Sequence, residues 1–190
     1  MIIGLYFGSF NPIHIGHLII ANHVLSHCKV DNIWFVVSPH NPLKESSTLL
    51  NEHHRLHLVR LAIESERKFK ASNIEFSLPK PSYTIDTLTH LQEKYPQHQF
   101  KVIMGSDSFQ NITKWKNYKQ LITHYDLIIY RRPGYEADIS LSKRIEMADA
   151  PLLDISSSYI RNLIKEHKSI RFLLPDEVLT DIEANGYYKK

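Results

Sequence analysis

The chain has 190 residues, of which 43% are hydrophobic and 23% are charged, with a formal net charge of +3. This length and balance exclude disordered and fibrous proteins, and they predict one globular domain over residues 1–190. Lysine and arginine form no run of five or more residues, so the positive charge favours small anionic ligands over nucleic acids.

The cysteine content and the apolar stretches bear on the cellular location of the protein. Cys28 is the single cysteine, so no intramolecular disulfide can form. No apolar stretch approaches the ~20 residues needed to span a bilayer, and no basic leader precedes the first apolar residues. We therefore expect a cytoplasmic protein without membrane contact.

Strand-like and helix-like patterns alternate through the first half of the chain. Residues 1–7 and 33–37 are nearly continuous apolar runs, which is typical of buried parallel strands. Residues 15–27 and 51–65 carry apolar side chains at helical spacing. Residues 74–78 alternate between apolar and polar side chains, which predicts a half-buried strand.

The same alternation continues through the second half and defines the fold class. Further predicted elements are a helix marked by Ile85, Leu88 and Leu91, strands over 100–104, 127–130 and 152–154, and helices over 156–165 and 176–185, the last ended by Gly186. Such alternation predicts an α/β fold with an open, doubly wound parallel sheet. Ligands of these sheets bind at the carboxyl ends of the strands, so the loops after residues 7, 37, 104 and 130 should form the site.

The segment between the first strand and the first helix reads Gly-Ser-Phe-Asn-Pro-Ile-His-Ile-Gly-His over residues 8–17. Gly8 permits close approach of a ligand to the backbone, and the helix start offers free N–H groups and a positive dipole end for phosphate. His14 and His17 lie on the same side of the helical turn, where both can donate to one polyphosphate, and Gly16 keeps the space between them open. Either histidine alone would be interpreted as a helix cap, but the whole segment favours phosphate binding. It resembles the His-x-Gly-His signature of the nucleotidyltransferase superfamily, which has a Rossmann-like fold.

A second anion-binding pattern begins the helix predicted over residues 156–165. Ser156 and Ser157 expose hydroxyl and backbone N–H groups at a helix start, and Arg161 adds a planar fork for phosphate oxygens. Taken alone, this pattern is a serine cap followed by a solvated arginine. Beside the first motif, it resembles the Ile-Ser-Ser/Thr-x-x-x-Arg element that closes over ATP phosphates in the same superfamily.

Motifs in the middle of the chain narrow the resemblance. They are Pro-Ser-Tyr-Thr at 81–84, Met-Gly-Ser-Asp-Ser-Phe at 104–109, Trp115, Arg-Arg-Pro-Gly-Tyr at 131–135, and the tail over 173–187. Together they are similar to bacterial nicotinate-mononucleotide adenylyltransferases, and the similarity covers essentially the whole chain. The resemblance implies a Mg²⁺-dependent transfer of the adenylyl group of ATP to nicotinate mononucleotide, which yields nicotinate adenine dinucleotide and pyrophosphate in NAD biosynthesis.

The resemblance also implies roles for individual residues. The implied catalytic residues are His14, His17 and Arg161, and the implied ATP-binding residues are Gly8, Ser9, Phe10, Lys44, Gly105, Asp107, Ser156 and Ser157. On the acceptor side, Trp115 would stack on the nicotinate ring and Arg132 would lie near the acceptor phosphate. Thr84, with backbone N–H groups near Trp115 and Lys116, would bind the pyridine carboxylate. Each of these side chains also has a plain structural alternative as a core aromatic, a helix cap or a surface charge.

Departures from the family pattern and the remaining alternatives complete the prediction. Phe7 precedes a lone Gly8 where the family often has a glycine pair, and Asn11 stands where aspartate is frequent. His53 and His57 lie four residues apart but lack further ligands at a zinc spacing, so we expect no protein-held metal.

The alternative functions are those of a phosphopantetheine or nicotinamide-mononucleotide adenylyltransferase and of a non-catalytic nucleotide-binding module. The sequence leaves a homo-oligomer open.

Overall fold

A six-stranded parallel sheet forms the centre of the computed structural model, which describes residues 1–39, 48–151 and 153–189. Its strands are β1 (Ile2–Gly8), β2 (Asn32–Val37), β3 (Phe69–Ser72), β4 (Gln99–Gly105), β5 (Asp126–Tyr130) and β6 (Ile145–Ala148). They lie in the order β3-β2-β1-β4-β5-β6, and every neighbouring pair is parallel. The order reverses between β1 and β4, so the predicted doubly wound α/β fold is confirmed.

Helices connect the strands on both faces of the sheet. They are α1 (Ile15–His27), α2 (Glu52–Ile63), α3 (Thr84–Lys94), α4 (Ser106–Phe109), α5 (Tyr118–His124), α6 (Ser157–Lys165) and α7 (Asp176–Asn185). The bounds of α1 and α7 coincide with the predicted ranges, and Gly186 ends α7 in the left-handed conformation with φ of 64°. No helix in the described part of the chain is long and apolar enough to cross a membrane.

The core has two layers because side chains of each strand alternate between the two faces of the sheet. Ile3 and Leu5 of β1 pack with α3, α4 and α5, whereas Tyr6 packs with α1, α2, α6 and α7 on the opposite face. Gly4 lies between Ile33 and Ile103, and a Cβ there would lie 2.8 Å from Ile103 Cδ1, so a larger residue would require the isoleucine side chains to shift. The parallel register pairs Gly8 with Val37, so the carboxyl ends of the two strands lie at the same edge of the sheet.

Two predicted strands are wrong. Residues 74–77 form a 3₁₀ helix instead of a strand, and β3 precedes it at Phe69–Ser72. The alternation was misleading because Ile74 and Glu75 are both buried, and the Ser77 hydroxyl donates to the Ile74 carbonyl at 3.1 Å, which closes a local turn. Residues 153 and 154 belong to no strand, and Leu152 lies outside the described residues. The strand at the edge of the sheet beside β5 is instead β6.

Candidate active site

The loop after β1 is shaped by aromatic packing. Phe10 is 2% exposed and adopts φ of 45°, and its ring folds back over Gly8, where a Cβ would lie 2.8 Å from it. The Phe10 ring packs on Tyr6, Phe35 and His17, with ring centroids 5.8, 5.6 and 5.1 Å away. Glycine at position 8 thus lets the phenyl ring hold the loop against the sheet.

The histidine pair stands at the start of α1. The rings of His14 and His17 stack with centroids 3.7 Å apart, and the His14 backbone N–H donates to His17 Nδ1 at 3.2 Å. Because that nitrogen accepts, the neutral His17 ring carries its proton on Nε2. His14 is 2% exposed, and burial followed by the positive charge of Arg132 lowers its pKa to about 3. His14 is therefore an uncharged hydrogen-bonding group at neutral pH.

The second motif docks directly on the first. The Ser157 hydroxyl donates to the Pro12 carbonyl at 2.8 Å, and Arg161 Nη1 donates to the Asn11 carbonyl at 2.8 Å. Ser156 caps α6, because its hydroxyl oxygen accepts from the Tyr159 N–H at 3.1 Å. Residues about 150 positions apart in the chain are thus joined by hydrogen bonds. Arg161 uses only part of its set of about five N–H donors in these contacts.

The two motifs and neighbouring residues line a first cavity of about 430 Å³. Its polar walls contain the two imidazoles, the Arg161 and Arg132 guanidinium groups and the carboxyl groups of Asp107 and Asp154. Of the predicted ATP-binding residues, those lining this cavity are Gly8, Ser9, Phe10, Asp107, Ser156 and Ser157. Such a mixture of donors and cations suits a polyanion.

A second cavity of about 380 Å³ adjoins the first. Thr84, Trp115 and Lys116, which the resemblance assigns to the acceptor, all line this second cavity. The two cavities share part of their walls, formed by Tyr6, Phe7, Gly8, Ser9, Ser108 and Tyr130. Ligands in the two cavities would therefore meet at the carboxyl end of β1.

Two predicted site residues line the other cavity than the one expected for them, and a third falls outside the described residues. Arg132, expected beside the acceptor, lines the first cavity with the histidines. Gly105, expected beside ATP, lines the second cavity, where a Cβ would meet the Asp107 carboxylate and lie 3.1 Å from the Tyr130 ring. Lys44 lies outside the described residues.

Arg55 is a supporting residue that the sequence analysis missed. It is fully buried on α2, and its guanidinium donates to the backbone carbonyls of Ser9, Ser38, Pro39 and Leu50 at 2.5, 2.8, 2.9 and 2.7 Å. It thereby joins the loops after β1 and β2 to the start of α2. The available signal was its position on the apolar helical face with Leu58 and Val59.

Glu75 is a second residue that the sequence analysis missed. Its carboxylate is 2% exposed, lines the second cavity and accepts from the hydroxyls of Ser82 and Thr87, each at 2.9 Å. Burial raises its pKa. The predicted strand over 74–78 placed Glu75 on the solvent face, so no local signal pointed to it.

Comparisons with known proteins identify the family of the chain. Residues 5–163 match the family model described as cytidylyltransferase-like. The probable nicotinate-nucleotide adenylyltransferase of Flavobacterium johnsoniae is 51% identical over 100% of both chains, and that of Cytophaga hutchinsonii is 51% identical over 99% of this chain and 98% of its own. The structure of Plasmodium falciparum nicotinic acid mononucleotide adenylyltransferase complexed with NaAD has a TM-score of 0.85 at 23% identity, covering 98% of this chain and 97% of its own, and so shares the fold. The chain belongs to the nicotinate-nucleotide adenylyltransferases, within the cytidylyltransferase-like family.

Proposed function

We propose that the protein transfers the adenylyl group of ATP to nicotinate mononucleotide, giving nicotinate adenine dinucleotide and pyrophosphate. The observation that carries this proposal is the pair of adjoining cavities, one lined by two imidazoles and two guanidinium groups and the other by Trp115 and the start of α3. ATP would occupy the first cavity and the acceptor the second, so that their phosphates meet at the shared wall.

The chemistry requires no general base. A phosphate monoester with a second pKa of about 6 is largely dianionic at neutral pH. Its oxygen can attack the α-phosphorus of ATP directly. A bond forms between that oxygen and the α-phosphorus, the bond from the α-phosphorus to the bridging oxygen breaks, and pyrophosphate departs with the electron pair. Catalysis then consists of alignment and of stabilising the charge on the departing group.

The residues of the first cavity would stabilise the departing pyrophosphate in different ways, which depend on their charge. Arg161 would supply positive charge to the triphosphate, whereas the neutral His14 would supply only a directed N–H donor. His17, whose Nδ1 accepts from the backbone, would donate through Nε2–H. The stacked arrangement sets both imidazoles beside the same region of the cavity, where the charge of the transition state develops.

The residues fit a Mg²⁺ ion that arrives with ATP. Mg²⁺ usually keeps several waters and is held by substrate phosphates with one or two carboxylates. Asp107 and Asp154 line the first cavity and could supply such carboxylates. Within residues 1–39, 48–151 and 153–189, no cluster of three or more His, Cys, Asp or Glu side chains could hold a metal alone. When bound, the ion would neutralise charge on the departing pyrophosphate.

The second cavity favours a carboxylate on the acceptor. Thr84 begins α3, and its N-cap residue Tyr83 makes no side-chain cap, so the positive end of the helix faces this region. Lys116 adds a cation there, although its Nζ also contacts Asp86 Oδ2 at 2.8 Å. The half-buried Trp115 ring offers an aromatic surface for the nicotinate ring.

We also propose a cytoplasmic location for the protein, on the basis of the sequence alone.

Pyrophosphate release with ATP and Mg²⁺ tests the proposal when nicotinate mononucleotide, nicotinamide mononucleotide and phosphopantetheine are offered in parallel. We expect the highest kcat/KM with nicotinate mononucleotide, and nicotinate adenine dinucleotide as the product by mass spectrometry. Preference for phosphopantetheine would replace the proposal with the rival acceptor. ATP binding without turnover of any acceptor would support the non-catalytic module.

A further inference from the structure

Glu75 is a buried acid in the wall of the second cavity, and hydroxyl groups hold it there. Its side chain is 2% exposed, Oε2 accepts from the Ser82 hydroxyl and Oε1 accepts from the Thr87 hydroxyl, each at 2.9 Å. The Ser38 hydroxyl also hydrogen-bonds to this carboxyl group. Across residues 1–39, 48–151 and 153–189, no lysine or arginine forms an ion pair with it.

A buried acid without a cation is an unfavourable way to fill a core position. Removing a carboxyl group from water destabilises the folded chain unless hydrogen bonds or an opposite charge compensate. An apolar side chain of similar size would fill the same space without that penalty. Buried acids in the wall of a cleft are therefore candidates for a role in function. The hydroxyl partners of Glu75 indicate which role this is.

The contacts of Glu75 bracket a segment that lines the second cavity. Ser82 lies two residues before Thr84, and Thr87 lies three residues after it. Thr84 begins α3 and lines the cavity, whereas Thr87 is fully buried and lines neither the first nor the second cavity. One carboxyl group thus joins the loop before α3 to the first turn of that helix, and it restrains the backbone between them.

The same turn contacts Lys116 on a more exposed side. The Lys116 ammonium lies 4.8 Å from the centroid of the Tyr83 ring and 2.8 Å from Asp86 Oδ2, and the side chains of Lys116 and Asp86 are 45% and 47% exposed. Exposed ion pairs contribute little to stability, because water and salt screen them. The buried contacts to Glu75 should therefore dominate in setting the position of the turn.

We propose that Glu75 is a positioning residue of the acceptor site, which holds residues 82–87 in the arrangement that lets Thr84 and the start of α3 meet the acceptor. Glu75 acts through Ser82 and Thr87, and its role requires no contact with the reacting phosphates. The inference rests on the proposed function, because that proposal assigns the acceptor to the second cavity.

This role has a kinetic signature that differs from that of a general structural defect. Without the hydroxyl contacts, the segment would populate several arrangements, and the acceptor would bind only the competent fraction. The apparent affinity for the acceptor would fall by that fraction, whereas saturating acceptor would restore the competent arrangement. We therefore expect a raised KM for the acceptor, with kcat and the KM for ATP nearly unchanged.

Thr87→Val tests this signature from outside the cavity wall. Valine has the shape of threonine but no hydroxyl, so it removes one contact to Glu75. A hydrogen bond to a charged group usually contributes a factor of about ten or more, so the KM for nicotinate mononucleotide should rise roughly tenfold. The values of kcat and of the KM for ATP should stay within about twofold of wild type.

Thr89→Val is the matched control on the same helix. The hydroxyls of Thr87 and Thr89 both contact the carbonyl four residues earlier, at 3.2 and 3.0 Å, so both variants lose that intrahelical contact. Only Thr87 also reaches Glu75. Thr89→Val should therefore keep the wild-type KM for the acceptor. An acceptor KM that rises in neither variant, or equally in both, would overturn the inference.

Substitutions of Glu75 itself test whether bridging of the two hydroxyls is what matters. Glu75→Met removes both acceptor oxygens and should raise the acceptor KM at least as much as Thr87→Val, whereas Glu93→Met, at an exposed position of α3, should not. Glu75→Gln keeps one oxygen for the first hydroxyl and offers an NH₂ group to the second, so it should recover most of the lost affinity. Equal losses in Glu75→Gln and Glu75→Met would contradict the bridging role.

Amide hydrogen exchange without substrates tests the positioning independently of turnover. The Asp86 N–H donates to the Tyr83 carbonyl at 3.0 Å inside the restrained segment. In Thr87→Val its protection factor should fall roughly tenfold, while the amides of β4 keep theirs. Unchanged protection of Asp86 would overturn the inference. Wild-type protein that turns over none of the offered acceptors would instead refute the proposed function and leave the exchange result standing.

Discussion

Arg55 lines neither cavity, but it hydrogen-bonds to the loops that form their walls, and its substitution gives the sharpest prediction. Substitution to leucine removes the donors to the carbonyls of Ser9, Ser38, Pro39 and Leu50. Leucine preserves the apolar contacts of α2 but supplies no hydrogen bond. The four carbonyl groups would then lose their common donor, whose own side chain is fully buried.

The expected loss of stability follows from these contacts. Breaking a buried charged network costs about 3 to 5 kcal/mol, because each abandoned acceptor loses about 1 to 3 kcal/mol and the losses are not additive. For a chain of this size, 1 kcal/mol lowers Tm by about 2 to 4 °C, so Arg55→Leu should lower Tm by about 6 to 20 °C. Because Ser9 lies in the wall shared by the two cavities, kcat should also fall at temperatures where the variant is folded.

Calorimetry and pyrophosphate release measure the two effects separately. Arg60→Leu is the matched control, since Arg60 is an exposed residue on the same helix and should change stability by only about 0.5 kcal/mol. An unchanged Tm in Arg55→Leu would refute the energetic argument. A lowered Tm with wild-type kcat in the folded variant would refute the positioning of the loops.

Three further predictions address the cavities and the histidines. His17→Ala should lower kcat by about 10² to 10³-fold, the usual cost of one preorganised donor, while His90→Ala, on α3 and outside both cavity walls, should retain wild-type kcat. Trp115→Ala should raise the KM for the acceptor far more than the KM for ATP, and equal rises would count against ring stacking. The folded-state pKa of His14 lies at about 3, below its ordinary 6.5, so unfolded chains bind the extra proton and stability falls as pH drops from 6.5 towards 3. Urea unfolding should show a slope of about 1.4 kcal/mol per pH unit that His14→Gln lacks, and identical slopes would refute the burial of a neutral ring.

Local patterns predicted the elements whose ends carry their own signals. The start of α2 follows Asn51, whose side chain accepts from the His53 N–H at 2.9 Å, and α7 ends at Gly186 with a positive φ. Continuous apolar runs identified the central strands β1 and β2, which are buried on both faces. The strand β3 was missed because it is a short edge strand in which only Ser72 is buried.

The supporting residues could not be predicted because their partners are distant in sequence. Arg55 contacts Ser9 across 46 positions, and no periodicity records which carbonyls an arginine will meet. Glu75 reaches Thr87 across 12 positions, through a turn that the alternation of residues 74–78 concealed. The two anion-binding motifs could be recognised in the sequence. The hydrogen bonds between them join residues 145 and 150 positions apart, and only the folded structure shows that these residues meet.

Asn11 stands where the family frequently has aspartate, and its contacts bear on the proposed mechanism. Its side chain is 6% exposed, its Nδ2 donates to the Thr48 carbonyl at 2.9 Å, and its Oδ1 accepts from the Leu50 N–H at 3.1 Å. A carboxylate could only accept, and would set a negative oxygen against the Thr48 carbonyl. Both polar atoms of Asn11 are thus used to hold the loop, while its backbone carbonyl receives Arg161. An amide cannot act as a general base at this position, which is consistent with an acceptor phosphate that needs none.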